Sequence, residues 1–117
     1  MDQNTLNQLL AAGVNHGASD IHLLVGMPPS YRIKGRLIPS KAGKLSPQNT
    51  QEIAKVIIPP TDRVDIETLS EFDTSYSLPQ VARFRVNIFR QRGSFGIILR
   101  IIPPKVPTVD ELMLPAI

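Results

Sequence analysis

Asp20 and His22 stand two residues apart. Arg83, Arg85 and Asn87 follow one another at every second position, and Arg100 lies in the next apolar run. These are the side chains whose types and spacing allow chemistry. Residues two apart in an extended segment share a face, so Asp20 and His22 can act together. As a metal site the pair is a ligand short, even with His16 nearby. As an acid–base dyad it lacks a nucleophile. A structural reading stays open beside these: an Asp–His hydrogen bond that fixes the end of a strand.

The arginines make a stronger pattern. In Arg83-Phe84-Arg85-Val86-Asn87-Ile88-Phe89, alternation puts Phe84, Val86 and Ile88 on a core face. Arg83, Arg85 and Asn87 then point to solvent or to a ligand. If Arg92-Gly93 is the centre of an even-length turn, Arg85 lies opposite Arg100, and Asn87 opposite Ile98, on one face. Like charges directly opposite destabilise a sheet by about 0.2–1 kcal/mol. Two guanidinium groups and an asparagine on one patch therefore suggest a bound anion, because the arginine fork matches phosphate oxygens. Two alternatives stand beside it. Both arginines spread into water, or a carboxylate such as Asp73 or Asp20 neutralises them. An odd-length turn would move Arg100 to the other face.

Several chemistries are excluded. The chain has no G-x-x-x-x-G-K-[ST] loop to cradle phosphates, no G-x-S-x-G elbow and no cysteine. Thiol catalysis, thiolate zinc, iron–sulfur ligation and disulfide scaffolding are thereby removed. Arg92-Gly93-Ser94-Phe95-Gly96-Ile97 is superficially like an RNA-binding strand, but Ser94 displaces the aromatic by one position. With no Trp, two Tyr and four Phe, base-stacking platforms are scarce.

The 117 residues amount to one domain, with 42% hydrophobic and 20% charged side chains, a balance that supports a globular core. No apolar run approaches the ~18 residues of a membrane span, and the N-terminus has no secretory pattern, so a reducing cytoplasm is expected. The net charge of +3 is mild, but it is segregated. No acid lies between Asp20 and Glu52, where Arg32, Lys34, Arg36, Lys41 and Lys44 fall. Six acids run from Glu52 to Asp73. None follows until Asp110, while Arg83, Arg85, Arg90, Arg92, Arg100 and Lys105 intervene. A basic surface beside an acidic one is expected, either simply solvated or facing phosphate, nucleic acid or an acidic protein.

Certain elements must position these groups. Leu6, Leu9, Leu10 and Val14 predict a helix over Asn4 to Asn15, stopped at His16-Gly17. Ile21 to Val25 reads as a strand, and a hairpin turns near Lys34-Gly35-Arg36. Ser46 and Pro47 start a second helix that ends at Pro59-Pro60. Thr61 caps a short third helix with Val64 and Leu69. Strands at Phe72 to Ser77, Ala82 to Arg90 and Phe95 to Ile102 then form a meander. The class is α+β with a mainly antiparallel sheet and flanking helices. Pro103 to Pro107 reads as a stiff linker, and Thr108, Asp110 and Glu111 as the beginning of a further helix.

In this order the segments resemble a known family. Gly17-Ala18-Ser19-Asp20-Ile21-His22-Leu23 matches the A-S-D-I-H box of secretion and pilus motor ATPases. Val81 to Phe89 is similar to the A-R-F-R-V-N strand of the type IV pilus retraction (twitching motility) branch. Leu99 to Pro103 and Glu111 to Pro115 are similar to the segments that follow. The resemblance implies a PAS-like N-terminal domain at 1–103, with 104–117 as the linker and start of a RecA-like motor domain. It implies a cytoplasmic homohexamer, peripheral to the inner membrane and engaged with the pilus inner-membrane platform. ATP and Mg belong to the longer parent, an ATPase. The 117-residue chain, without a P-loop, is expected to be inactive alone and to hold no cofactor. Residue by residue, the R-V-N arginine maps to Arg85 and the L-R-I-I arginine to Arg100, the family's arginine fingers toward nucleotide. Arg83 is a helper. Asp20 and His22 tie the first helix to the sheet or line a domain interface.

The expected function is therefore a regulatory and assembly domain that couples ATP hydrolysis to pilus disassembly and twitching motility. The same domain of a pilus assembly or type II secretion ATPase is the alternative. Behind it stands a free-standing anion- or RNA-binding module; no nucleic-acid partner is expected from the resemblance.

Overall fold

A computed structural model describes residues 3–58, 70–91 and 93–102. The expected third helix at Thr61 to Leu69, Arg92, and the linker and helix start beyond Ile102 lie outside these residues.

Helix α1 (Gln3–Asn15) places Leu6 and Leu10 at 0% exposure, with Gly13 buried one turn on. Its end is built by backbone bonds alone. The Ala18 amide donates to Gly13 O at 2.9 Å and the Gly17 amide to Val14 O at 3.1 Å, the paired bonds that satisfy the last free carbonyls of a helix. Helix α2 (Pro47–Ile57) begins as its sequence predicts. The Asn49 amide donates to Ser46 Oγ at 3.1 Å, and Asn49 Oδ1 accepts from the Ser46 amide at 3.0 Å. This reciprocal cap satisfies two otherwise orphaned donors. Thr50, Ile53, Ala54 and Ile57 form the buried stripe of α2.

Six strands make one antiparallel sheet: β1 (Asp20–Leu23), β2 (Ser30–Ile33), β3 (Arg36–Pro39), β4 (Glu71–Leu78), β5 (Ala82–Gln91) and β6 (Ser94–Ile102). The order across the sheet is β3-β2-β1-β6-β5-β4, so the first and last of the described strands meet at its centre. The first strand is shifted from expectation. It starts at Asp20, and Val25 forms only an isolated parallel bridge to Leu45.

Two hairpins turn alike. Lys34-Gly35 joins β2 to β3 with φ of 52° and 79°, and Gly93 in the β5–β6 turn has φ of 80°. These left-handed angles match the twist of the flanking strands. In each hairpin an arginine three residues earlier donates to the glycine carbonyl: Arg32 to Gly35 O at 3.2 Å, Arg90 to Gly93 O at 3.3 Å.

One face of the sheet is apolar. Ile21, Leu23, Phe84, Val86, Ile88, Ile97 and Leu99 are nearly or wholly buried there with the stripes of α1 and α2. Each large side chain so buried contributes about 1.5–3 kcal/mol. Tyr31 and Tyr76 add polar ties to α1, the first donating to Leu9 O at 2.8 Å and the second to Asn7 Oδ1 at 2.6 Å. The alternate residues of every strand face the other way, onto a side of the sheet that neither helix covers. Among the described residues no helix is long and apolar enough to cross a membrane.

Candidate functional site

The β5–β6 turn is even in length, with Gln91 paired to Ser94, and it carries the consequence for register predicted from Arg92-Gly93. Arg85 faces Arg100, and Asn87 faces Ile98. On the far side of β6, Arg100 faces Asp20, which in turn faces Arg32 on β2. Arg85, Arg100, Asp20 and Arg32 thus form a row across four adjacent strands on the open face. Three guanidinium groups meet one carboxylate, which leaves the row positive.

Asp20 is the most enclosed member of the row. Its side chain is 14% exposed, against 37% for Arg32 and 74% for Arg100. Asp20 Oδ1 accepts from Arg100 Nε at 3.4 Å, and its Oδ2 accepts from Ser19 Oγ at 3.0 Å and lies 3.9 Å from Arg32 Nε. The neutralising carboxylate weighed in the sequence is therefore present for Arg100, shared with Arg32. Arg85 pairs with no carboxylate among the described residues. An ion pair this exposed contributes little, about 0–1 kcal/mol, so Arg100 is lightly held.

A depression of about 290 Å³ opens on this face, lined by both arginines, Asp20, Asp73, Asn87 and Ile98 among others. Arg83 is exposed one pleat away, opposite Ile102, outside that lining. The role expected for Asn87 differs from what the fold shows. Its amide does not point at a vacant anion position but donates to Glu71 Oε2 at 2.9 Å and Asp73 Oδ1 at 2.7 Å. Both acids come from β4, whose register beside β5 does not follow from the spacing that aligns β5 with β6.

His22 shares the open face with Asp20 but, among the described residues, makes no hydrogen bond to it. The Asp–His bond expected at the strand end is replaced by the Ser19–Asp20–Arg100 contacts. Burial lowers the His22 pKa below its ordinary 6.5, and the Arg32 charge adds to that, while Asp20 opposes it. Among the described residues no three His, Cys, Asp or Glu gather as a metal ion requires. The chemistry this face offers is recognition of an anion: forked donors on an exposed, net-positive row. Arg32 is the member that sequence reasoning missed; the signal was the strand order that sets β1 between β2 and β6.

No family model matches the chain. The type IV pilus retractation ATPase PilT of Pseudomonas aeruginosa is 38% identical over 107 residues, which are 92% of this chain and 31% of PilT. The type IV pilus ATPase PilU of the same organism is 36% identical over 110 residues, 94% of this chain and 29% of PilU. The crystal structure of the pilus retraction motor PilT with bound ADP superposes with a TM-score of 0.79 at 36% identity, covering 95% of this chain and 33% of that one. The ATPase DotB of Legionella pneumophila does so at 0.76 and 26% identity, covering 99% and 33%. The chain spans about a third of the length of the relatives it matches.

Proposed function

The chain is homologous to the type IV pilus ATPases PilT and PilU, and on that premise we propose that it serves as the N-terminal domain of a pilus retraction ATPase. In this reading Arg85 and Arg100 are arginine fingers, with Arg83 as helper, directed at the phosphates of an ATP held by a RecA-like motor domain. Residues 1–103 form the PAS-like domain, and 104–117 lead into the motor. The assembled protein is a cytoplasmic homohexamer working against the pilus inner-membrane platform, and its motor domain supplies the groups that hold ATP and Mg. The domain couples nucleotide state to movement between subunits and so to pilus disassembly and twitching motility.

One observation carries this reading: Arg85 and Arg100 face each other in adjacent strands, on a side of the sheet that neither helix covers. A sheet gains nothing from such a pair, whereas a transferring phosphoryl group gains stabilisation from each guanidinium that reaches it. The residues present suit a phosphate better than a metal ion, since the row has three arginines to one aspartate.

The test is made in the full-length parent. Arg85→Ala and Arg100→Ala are each expected to lower the ATPase rate at least about tenfold, by the precedent of arginine fingers, with the hexamer intact by light scattering. Near-normal rates in both variants end the finger assignment. The purified 117-residue chain is expected to show no ATP turnover.

A second reading places the same domain in a related secretion motor, since the likeness extends beyond pilus retraction motors to the ATPase DotB. Deletion of the parent gene separates the two. Loss of twitching with pili retained supports retraction; loss of pili or of secretion supports the sister pathway.

A further inference from the structure

Two carboxylates stand beside the arginine pair: one is held by another group, and the other is shared. Asp73 lines the same depression as Arg85 and is its diagonal neighbour, since Asp73 faces Asn87 while Arg85 faces Ser75. Diagonal side chains across two strands are within reach of a group as long as arginine. Yet the Asp73 carboxylate sits on the Asn87 amide at 2.7 Å, and the other hydrogen of that amide goes to Glu71 at 2.9 Å. Both donors of Asn87 are thus spent on acids.

On the other flank, Asp20 bonds Arg100 through one oxygen only. Its second oxygen lies between the Ser19 hydroxyl at 3.0 Å and Arg32 Nε at 3.9 Å. Arg32 is itself fixed, its terminal nitrogen donating to Gly35 O at 3.2 Å in the hairpin turn. If Arg100 leaves toward a ligand, Asp20 keeps two partners and is not stranded. A half-buried carboxylate left bare would oppose that departure.

We propose that Asn87 and Arg32 are positioning residues: Asn87 holds Asp73, which would otherwise neutralise Arg85, and Arg32 shares Asp20 with Arg100, so that Asp20 holds Arg100 less firmly than it would alone, and the pair stays available to phosphate. The proposal rests on the reading that this pair receives a phosphate group. It assigns work to two residues that touch no ligand, and it gives the acids of the open face a role opposite in sign to that of the arginines.

The test uses the 117-residue chain with nitrogen-labelled arginine, read by NMR at the Arg85 and Arg100 Nε–H groups, with inorganic pyrophosphate as the probe. Asn87→Ala and Arg32→Gln are each expected to weaken pyrophosphate binding about two- to fivefold, the scale of one exposed ion pair. Removing the freed acid restores it: Asp73→Asn in the Asn87→Ala background, Asp20→Asn in the Arg32→Gln background. Without any ligand, Nε–H exchange with water slows at Arg85 in Asn87→Ala and at Arg100 in Arg32→Gln. Loss of binding that the second substitution does not rescue, or exchange rates that stay at the wild-type value, overturns the proposal. If wild-type chain shows no pyrophosphate shift at either arginine, the phosphate reading fails, and the exchange rates alone decide whether the two residues compete with the arginine pair for the acids.

Discussion

Asp20 faces Arg100 across the β1–β6 ladder, and their side chains meet at 3.4 Å, while Arg100 faces Arg85 across the β5–β6 ladder, cation to cation. The row is therefore asymmetric. Moving from β2 to β5, charge alternates until the last two positions, where two cations adjoin. That unbalanced end coincides with the depression on the open face.

Such an end costs stability, and the cost has a sign that can be measured. Arg85→Ala removes a like-charge neighbour and breaks no described hydrogen bond. Its expected effect is neutral to stabilising, within about 0.5 kcal/mol. Asp20→Ala acts the other way. It takes the shared acceptor from Arg100, Arg32 and Ser19 and is expected to cost about 1 kcal/mol. Urea midpoints of the two variants check this. A loss above about 1 kcal/mol for Arg85→Ala would mean that the arginine holds the fold together, and its ligand role would lose its support.

Much of this arrangement was legible from spacing. A two-residue turn at Arg92-Gly93 fixes which residue of β6 meets Arg85, because strand register follows from turn length. Ser46-Pro47 announces α2 through capping chemistry that is local to four residues. What spacing could not supply was non-local. Nothing in the order of residues sets β1 between β2 and β6, so the link from Arg100 through Asp20 to Arg32 came only with the strand order. Asn87 shows the other limit. Alternation puts its side chain on the arginine face, but its choice of Glu71 and Asp73 depends on β4, which a three-residue turn at Pro79-Gln80-Val81 joins to β5. Three of the family boxes fall on β1, β5 and β6, the strands that build the site; the fourth, Glu111 to Pro115, lies outside the described residues, and the middle of the chain, Lys41 to Ser70, carries little motif information.

Gly13 tests the packing between α1 and the sheet. A Cβ at this position would lie 2.9 Å from Ile21 Cδ1 and 2.9 Å from Tyr31 Cε1. Ile21 can turn its terminal methyl, but the Tyr31 ring is anchored by its hydroxyl bond to Leu9 O at 2.8 Å. Gly13→Ala gains about 1 kcal/mol in helix propensity and loses about 1–3 kcal/mol to overpacking. A net loss of about 0–2 kcal/mol in thermal or urea denaturation is expected, and Gly13→Ala combined with Tyr31→Phe, which frees the ring, is expected to lose less than the two single changes together. Strict additivity would place the clash elsewhere.

Ser46→Ala removes the acceptor for the Asn49 amide and the reciprocal bond that depends on it. The expected cost is about 0.5–2 kcal/mol, with hydrogen exchange accelerated in the first turn of α2 and unchanged in β5. Because α2 contributes Ile53 and Ile57 to the core rather than to the open face, pyrophosphate shifts at Arg85 and Arg100 should not change.

His22 gives the chain a pH dependence whose direction follows from its surroundings. Burial is the larger cause of its lowered pKa, the Arg32 charge the next, and Asp20 pulls the other way. The unfolded chain, with a histidine near 6.5, therefore takes up the proton before the folded one does. Stability from this group is intact above about pH 6.5 and is lost as the pH falls through the lower folded value. In an NMR titration His22 should show a midpoint below 6.5. In urea denaturation at a series of pH values, His22→Gln should flatten the decline on the acid side of 6.5. Arg32→Gln removes one of the two causes and should move the His22 midpoint upward, whereas Asp20→Asn should move it down. An unchanged midpoint in both variants would leave burial as the sole cause and remove Arg32 and Asp20 from the environment of the histidine.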